Sequence, residues 1–263
     1  MNNKFKLFVN NNEKSRNIEV KVKEKLISNG FIYEDDNFDI AIAIGGDGSF
    51  LRMVKQTNFN SNILYIGINA GTLGFAQEIS ISELDLFIDN LKNNNYKVDE
   101  IGVQETTIIA NNSTSHFYSL NEIVVRNKEL NTLKLDIKVN NELLEKFIGD
   151  GVLISTSFGS TAYNLSFNGS IIYNTFHALE ITPVAPLNNK VYSSLVNSVI
   201  IPENMKIELS NFNDNSLLIT VDGENNYYDN VSIVETVINQ KRIKIMRNLD
   251  YEFIKKINEK FLK

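Results

Sequence analysis

The chain has 263 residues, no cysteine and a net charge of −6, from 26 basic and 32 acidic side chains. The length allows one large domain or two modest ones, and the lack of cysteine excludes disulfides, thiol catalysis and cysteine-rich zinc sites. The charge balance argues against a nucleic-acid partner. The sequence has no signal-peptide core and no run of about twenty apolar residues, which argues against a membrane partner. These features predict a cytoplasmic protein.

The first hundred residues alternate predicted strands with predicted helices. Apolar residues at helical spacing follow the first strand, and Ser80 with Glu83 forms a candidate capping box before another helix. This rhythm is typical of an open α/β sheet. The predicted strands are residues 4–9, 31–33, 40–44 and 63–68.

The stretch Ile40–Ser49 ends an apolar run at the sequence Gly-Gly-Asp-Gly. Five apolar residues in a row predict a parallel strand buried on both faces, and Ser49 is predicted to open a helix. A strand, a glycine turn and a helix N-terminus place free N–H groups at one point, which suits phosphate. Asp47 in that turn would oppose an anion unless a metal or a substrate hydroxyl lies between them, which favours phosphoryl chemistry. A plain tight turn, with Asp47 as a local cap, is the alternative.

A second glycine-rich stretch, residues 67–75, follows the next buried strand. Its spacing, G-x3-G-x2-G, differs from the dinucleotide fingerprint G-x-G-x-x-G. Two glycine turns at the carboxyl ends of neighbouring strands lie at one rim, where open α/β sheets bind ligands.

After Tyr96 the pattern changes to short strands, which predicts a second, mainly antiparallel β domain. We predict a first domain of residues 1–98 and a second of residues 99–249, with a closing helix at about 250–263 that packs back on the first. The predicted strands of the second domain are residues 105–110, 117–125, 132–139, 151–155, 205–210, 216–221, 232–237 and 242–246.

Two polar segments of the second domain are candidate ligand contacts. Asn121-Glu122 interrupts an apolar run, and it is either the solvated face of a strand or a pair that hydrogen-bonds a ribose or a base edge. Residues 149–163 run from a strand into hydroxyl residues and glycine. Ser160 or Thr161 could simply cap a helix there, or the segment could hold a flat polar ligand against Tyr163.

Other catalytic schemes lack the residues they need. His116 and His177 are the only histidines, and neither lies in a nucleophile elbow, which argues against a serine-hydrolase triad. Two histidines without cysteine do not favour a zinc site, and no G-x-x-x-x-G-K-[ST] motif indicates a P-loop.

Five segments together resemble, in order and spacing, the signature blocks of bacterial NAD kinases. They are GGDGS at 45–49, GINAGTLGF at 67–75, NE at 121–122, GDGVLISTSFGSTAYNLS at 149–166 and VDG at 221–223. The combination is far more specific than GGDG alone, which diacylglycerol, sphingosine and 6-phosphofructokinases share.

The resemblance implies an enzyme that uses ATP or polyphosphate, with Mg²⁺ or Mn²⁺, to phosphorylate the 2′-hydroxyl of the adenosine ribose of NAD. It also implies an α/β domain plus an antiparallel β domain, and a homotetramer or homodimer. Asp47 is implied as the catalytic carboxylate. The residues implied for phosphate or ATP are Gly45, Gly46, Gly48, Ser49 and Asn69. Those implied for NAD are Asp47, Gly48, Phe75, Asn121, Glu122, Asp150, Ser157, Thr161, Ala162, Tyr163 and Ser166, with Asp150 also able to act from a neighbouring subunit.

The chain departs from this family where Ser157-Phe158 replaces a common Pro-Thr, where Ser170 replaces a common proline, and where Ile148 replaces a common basic residue. These changes bear on fine specificity. Two alternatives stay open from the sequence: a lipid or sugar kinase that shares GGDG, and a non-catalytic dinucleotide-binding sensor.

Overall fold

A computed structural model describes residues 3–71 and 74–262; Thr72 and Leu73 of the second glycine stretch and Lys263 of the closing segment lie outside the described residues. The chain divides into two compact units. The first runs to Ile101 and resumes at Lys241, and the second runs from Gly102 to Gln240. The domain boundaries predicted at 98 and 249 stay predictions.

The first unit is an α/β sheet whose described strand pairs are all parallel. The strand order is β2-β1-β3-β4, and the end of β16 pairs with β4 through Lys244 and Ile245. All six residues of β3 are buried, as the uninterrupted apolar run predicts. The elements are β1 Lys4–Val9, α1 Glu13–Ser28, β2 Ile32–Tyr33, β3 Ile40–Gly45, α2 Asp47–Gln56, β4 Leu64–Asn69, α3 Leu84–Lys92 and α4 Phe253–Phe261.

The second unit holds two antiparallel arrangements of strands around one apolar core. One sheet has the order β12-β11-β10-β7-β14-β15, and in the other β16 pairs with β13, β13 with β8 and β8 with β9, while β5 pairs with β6. The core contains residues of both, such as Leu135 and Ile154. Strand β5 begins and strand β16 ends in the first unit. The elements are β5 Lys97–Ala110, β6 Ser113–Ser119, β7 Glu122–Asn127, β8 Leu133–Val139, β9 Glu142–Gly149, β10 Gly151–Thr156, β11 Ala178–Val184, β12 Val199–Pro202, β13 Ile207–Ser210, β14 Leu217–Val221, β15 Glu224–Tyr228 and β16 Val231–Arg247.

The predicted fold class, an α/β unit plus a mainly antiparallel β unit, is confirmed, whereas several predicted elements are wrong. Helix α2 begins at Asp47 and not at Ser49, because Gly46 is already its extended N-cap. The predicted strand 117–125 is two strands, β6 and β7, and the predicted strands 232–237 and 242–246 are one, β16. Four strands were not predicted: β9, β11, β12 and β15.

The closing helix α4 belongs to the first unit, where its rings pack on the second glycine stretch. The ring centroids of Phe253 and Phe261 lie 6.3 and 5.3 Å from that of Phe75. Residues 3–71 and 74–262 contain no helix that is long and apolar enough to cross a membrane.

Candidate active site

The Gly-Gly-Asp-Gly turn joins the buried end of β3 to the first turn of α2. Gly45 is buried, and a Cβ at this position would overlap the Ser49 hydroxyl, so this glycine permits the close approach of strand and helix. Gly46 and Gly48 are exposed and have open space where a Cβ would stand. The turn therefore leaves room for a ligand beside the N–H groups of a helix N-terminus.

The Asp47 carboxylate is held by the backbone of the second glycine stretch. Its Oδ2 accepts the Phe75 N–H at 3.1 Å and its Oδ1 accepts the Ala76 N–H at 2.9 Å. A Cβ on Gly74 would overlap this carboxylate, which explains why glycine occupies position 74. The amide of Gln77 donates to the Gly46 carbonyl and ties the same two segments together. The structure thus brings together the two glycine turns predicted to share a rim.

Three other predicted residues of the first unit have side chains engaged within the protein. The Asn69 amide oxygen accepts the Gly71 N–H at 2.7 Å, and the Ser49 hydroxyl accepts from Arg52 at 3.2 Å. The Phe75 ring is buried against α4, so its backbone N–H is the group that contacts Asp47. The predicted ligand contacts of these residues stay predictions.

Two buried cations support this segment and were not predicted. Lys256 of α4 donates to the Gln77 carbonyl at 3.1 Å, and Arg247 of β16 pairs with Glu78 at 3.3 Å and with Asp99 at 2.9 Å. Burial and the nearby Arg247 charge lower the pKa of Lys256 to about 8. Helix α4 contains Lys255, Lys256 and Lys260, and no local pattern in the sequence distinguishes the buried lysine from the other two.

In the second unit, Asp222 fixes the backbone around Asn121 and Glu122. Its carboxylate accepts the N–H groups of Leu120, Asn121 and Glu122 at 2.7, 2.8 and 3.2 Å. These contacts hold the backbone where β6 ends and β7 begins, between strands that belong to different sheets. Asp222 lies in the VDG block, but the block does not indicate what this side chain contacts. Only the distances between its carboxylate and the three N–H groups show that it holds this backbone.

Glu122 is a buried carboxyl group with one oxygen that lacks a partner. Its Oε2 has no hydrogen-bond partner in the described chain, whereas the Tyr163 N–H donates to the carboxylate. Burial, and secondarily the Asp222 charge, raise the pKa of Glu122 to about 8. The solvated-strand interpretation of this residue is therefore wrong, since Glu122 is 6% exposed.

Close beside this pair lies the segment that follows β10. A Cβ on Gly159 would overlap the Asn121 backbone, so this glycine lets the two segments touch. The Tyr163 hydroxyl accepts from Arg126 at 3.1 Å, and its ring packs edge-on against Phe167 with centroids 4.9 Å apart. Tyr163 is 41% exposed, so part of its side chain is accessible to a ligand.

The remaining predicted residues of this unit differ in exposure. Thr161 and Ala162 are half-buried, while Ser166 and Asp150 are exposed. The Ser157 hydroxyl is buried and donates to the Phe176 carbonyl, so it supports a loop. The contacts of these residues with NAD stay predictions.

The alternative interpretation of Ser160 or Thr161 as a helix cap is wrong, because both residues lie within a short 3₁₀ helix, Phe158–Thr161. Ser160 accepts the Ile172 N–H at 3.0 Å, and this contact anchors a neighbouring loop. Phe158 and Ile148 are both buried, so these departures from the family pattern place apolar side chains in the protein interior.

A metal cage of protein ligands does not fit this site. Within the part of the chain that the structure describes, no three acidic or histidine side chains are grouped so that they could hold a metal ion. Both oxygens of the Asp47 carboxylate already accept backbone N–H groups.

Two family models match most of the chain. Residues 3–96 match the ATP-NAD kinase N-terminal domain, and residues 120–245 match the ATP-NAD kinase C-terminal domain. Among similar proteins, the NAD kinase of Finegoldia magna is 40% identical over 274 aligned positions and is covered completely, as is this chain. The NAD kinase of Streptococcus pneumoniae is 34% identical over 239 positions, which cover 90% of this chain and 88% of that protein.

Solved structures share the fold. Yeast NADH kinase complexed with NADH superimposes with a TM-score of 0.86 at 20% identity, covering 97% of this chain and 86% of that one. An NAD kinase from Archaeoglobus fulgidus in complex with ATP gives a TM-score of 0.75 at 17% identity, covering 98% and 97%. The two alternatives considered from the sequence, a lipid or sugar kinase and a non-catalytic sensor, gain no support from these matches.

Proposed function

Since the chain belongs to the NAD kinase family, we propose that it transfers the terminal phosphoryl group of ATP to the 2′-hydroxyl of the adenosine ribose of NAD, with Asp47 as the catalytic carboxylate. The supporting observation is the position of Asp47. Its carboxylate stands at the N-terminus of α2, where two backbone N–H groups orient it beside an open glycine turn. Polyphosphate is a second proposed donor.

Asp47 orients the attacking hydroxyl and accepts its proton. A carboxylate has about four lone-pair sites, so it can accept the ribose hydroxyl while it keeps both backbone hydrogen bonds. The 2′-oxygen forms a bond to the terminal phosphorus as the bond from that phosphorus to its bridging oxygen breaks. The transition state is loose, so alignment and neutralisation of charge supply most of the rate enhancement.

The N–H groups at the start of α2 supply part of that neutralisation. No intrahelical acceptor precedes them, and the helix dipole favours negative charge at this end. A divalent ion, Mg²⁺ or Mn²⁺, would enter with the donor and be held mainly by its phosphates, because the residues that the structure describes offer no cage of their own. Bound there, it would supply further charge neutralisation.

Asn121 and Glu122 bind the adenosine part of NAD in this proposal. With a pKa of about 8, Glu122 carries a proton at neutral pH and donates a hydrogen bond to an acceptor on the ligand. A ligand that contacts the unpartnered Oε2 would offset the cost of burying this carboxyl group. The open ring of Tyr163 supplies a surface on which a base can stack.

The assay is direct. Purified protein is incubated with NAD, Mg²⁺ and ATP, and in parallel with polyphosphate, and NADP is measured with an NADP-specific dehydrogenase. Formation of NADP with ATP supports the assignment, and tight NAD binding without NADP from either donor overturns it.

Asp47→Asn tests the role of the carboxylate. Loss of an acid-base group costs roughly 10²- to 10⁴-fold in turnover, so we expect kcat to fall by that order while the fold persists. Asp89→Asn, an exposed carboxylate on α3, is the matched control and should leave kcat unchanged. Near-normal kcat in Asp47→Asn, with both variants folded by circular dichroism, would remove Asp47 from the mechanism.

We further propose a homotetramer or homodimer in which Asp150 contacts the dinucleotide, including from a neighbouring subunit. Exposed apolar side chains in the second unit support this, among them Val191 at 79% and Val196 at 61% exposure. Light scattering measures the assembly, and a monomer that is fully active contradicts it. The predicted cytoplasmic location stays a prediction.

A further inference from the structure

We propose that the first turn of α1, through Lys14 and Ser15, forms an anion subsite that binds the terminal phosphates of the phosphoryl donor. The inference rests on the proposed function, because it assigns a place to the donor of that reaction. Neither residue belongs to the signature blocks of the sequence.

The subsite is a pocket of about 380 Å³ at the carboxyl ends of β1, β3 and β4. One side is the glycine turn before Asp47, and the other is the start of α1. This volume lies near the lower end of ligand cavities, roughly 300–1,000 Å³, which suits a chain of phosphates better than a whole nucleotide. The lining residues are Asn10, Asn12, Lys14, Ser15, Gly45, Gly46, Ala70 and Gly71.

Two helix N-termini contribute to this pocket. Helix α1 has Asn12 as its N-cap, whose side chain accepts the Ser15 N–H at 2.8 Å, and Gly46 is the N-cap of α2. The first N–H groups of each helix lack intrahelical acceptors, and both helix ends favour an anion. No carboxylate lines the pocket among the described residues, and the Glu13 side chain in the same turn is exposed.

Lys14 supplies a cation that the fold itself does not use. Its side chain is exposed at the pocket, and across the described chain it forms no ion pair or hydrogen bond. A bound phosphate chain would give it a charge-assisted partner.

Ser15 is the independent observation that points to a ligand. It lines the pocket and is 0% exposed, yet its Oγ has no hydrogen-bond partner in the described chain. A buried hydroxyl without a partner costs folding free energy, so it is expected to be satisfied by something the free protein lacks. A phosphate oxygen in the pocket is an acceptor of that kind.

The first test measures KM for ATP and for NAD separately in Lys14→Met, with Lys21→Met as the control. Lys21 is an exposed lysine on the same helix and does not line the pocket. Hydrogen bonds to charged groups contribute enough for about a tenfold effect or more, so we expect KM for ATP to rise by that factor in Lys14→Met. KM for NAD should stay within about twofold by the same reasoning, and Lys14→Arg should recover most of the ATP affinity.

Ser15→Ala separates a binding role from a structural one. Removal of an unpartnered buried hydroxyl should leave the urea midpoint unchanged or raise it, whereas KM for ATP should rise severalfold. An unchanged KM for ATP in both Ser15→Ala and Lys14→Met would overturn the subsite. A rise in KM for NAD instead would assign the pocket to the dinucleotide and also overturn the proposal.

A binding measurement keeps this inference separate from the proposed activity. Calorimetric titration with inorganic tripolyphosphate and Mg²⁺ should show binding to the wild-type protein and to Lys21→Met, and at least tenfold weaker binding to Lys14→Met. Equal binding to all three proteins overturns the subsite even if NADP is formed. Selective loss in Lys14→Met supports it even if the proposed reaction fails.

Discussion

Asp47 and Glu122 are carboxyl groups in opposite surroundings. Asp47 is partly exposed at a helix N-terminus and accepts two backbone N–H groups. Glu122 is buried next to Asp222, which favours its protonated form. One is suited to accept a proton and the other to donate a hydrogen bond, and this division matches the two roles proposed for them.

The raised pKa of Glu122 predicts a dependence of stability on pH. Between pH 4.5 and about 8 the native state keeps this proton while the unfolded state loses it, so the free energy of unfolding falls as pH rises through that range. In Glu122→Gln this contribution is absent. Urea titrations at pH 5 and pH 8 should show a larger loss of stability in the wild-type protein than in Glu122→Gln.

Glu142→Gln, at an exposed position on β9, is the control for that comparison and should follow the wild-type protein. An equal change for all three proteins would contradict the raised pKa of Glu122.

The sequence could predict which residues carry chemistry better than it could predict their surroundings. Asp47 was predicted beside a buried strand because the apolar run and the glycines are local features. The burial of Glu122 was not predicted, because the groups around it, such as Ser155, Tyr163 and Asp222, come from distant parts of the chain. Lys256 is likewise buried by contacts that no local pattern describes.

Helix α4 supports the segment that orients Asp47. Its Lys256 binds the Gln77 carbonyl, and its Phe253 packs against Phe75, the residue whose N–H contacts Asp47. The helix thus acts on the candidate catalytic carboxylate through one short stretch of backbone. The Phe253 side chain is almost fully buried, with 2% of its surface exposed.

Phe253→Ala should destabilise the protein by about 3–5 kcal/mol, the usual cost of deleting a buried phenylalanine ring. Ile254→Ala, at a neighbouring position that is 65% exposed, should stay within about 0.5 kcal/mol of wild type. Urea unfolding measures both, and a similar effect of the two substitutions would refute the docking role of Phe253.

Element boundaries were predicted where periodicity decides them and missed where distant contacts do. Strand β1 was predicted with its observed ends, Lys4 and Val9. The break between β6 and β7 was missed because the apolar pattern continues through Leu120, whose N–H bonds the distant Asp222 carboxylate instead of a neighbouring strand. Strand β16 was divided in two because its polar centre, Asn239-Gln240-Lys241, looks like a turn.

The first compact unit is built from two segments that are far apart in the chain. Residues after Lys241 supply the β16 strand that pairs with β4, the core residue Met246 and the whole of α4. The two-domain organisation was predicted from the change of rhythm after Tyr96. The return of the chain was predicted only for the closing helix, because a strand partner leaves no local pattern.

A fragment of residues 1–101 should therefore not fold stably. It would expose the edge of β4 and the core face that Met246 and Phe253 cover. We expect poor chemical-shift dispersion and no cooperative thermal transition. The same fragment joined to residues 241–263 by a short Gly-Ser linker is the control, and we expect it to melt cooperatively. Cooperative melting of the fragment alone would contradict this expectation.

The two hydrogen bonds on Asp47 come from peptide groups and not from side chains. Every amino acid except proline carries such a donor, so substitutions at Phe75 and Ala76 can alter packing without deleting the hold on the carboxylate. The two hydrogen bonds that orient the Asp47 carboxylate therefore do not depend on which side chains occupy positions 75 and 76. Substitutions there act on packing, since both side chains are buried, but they keep both hydrogen bonds, and only proline at one of the two positions would remove an anchor outright.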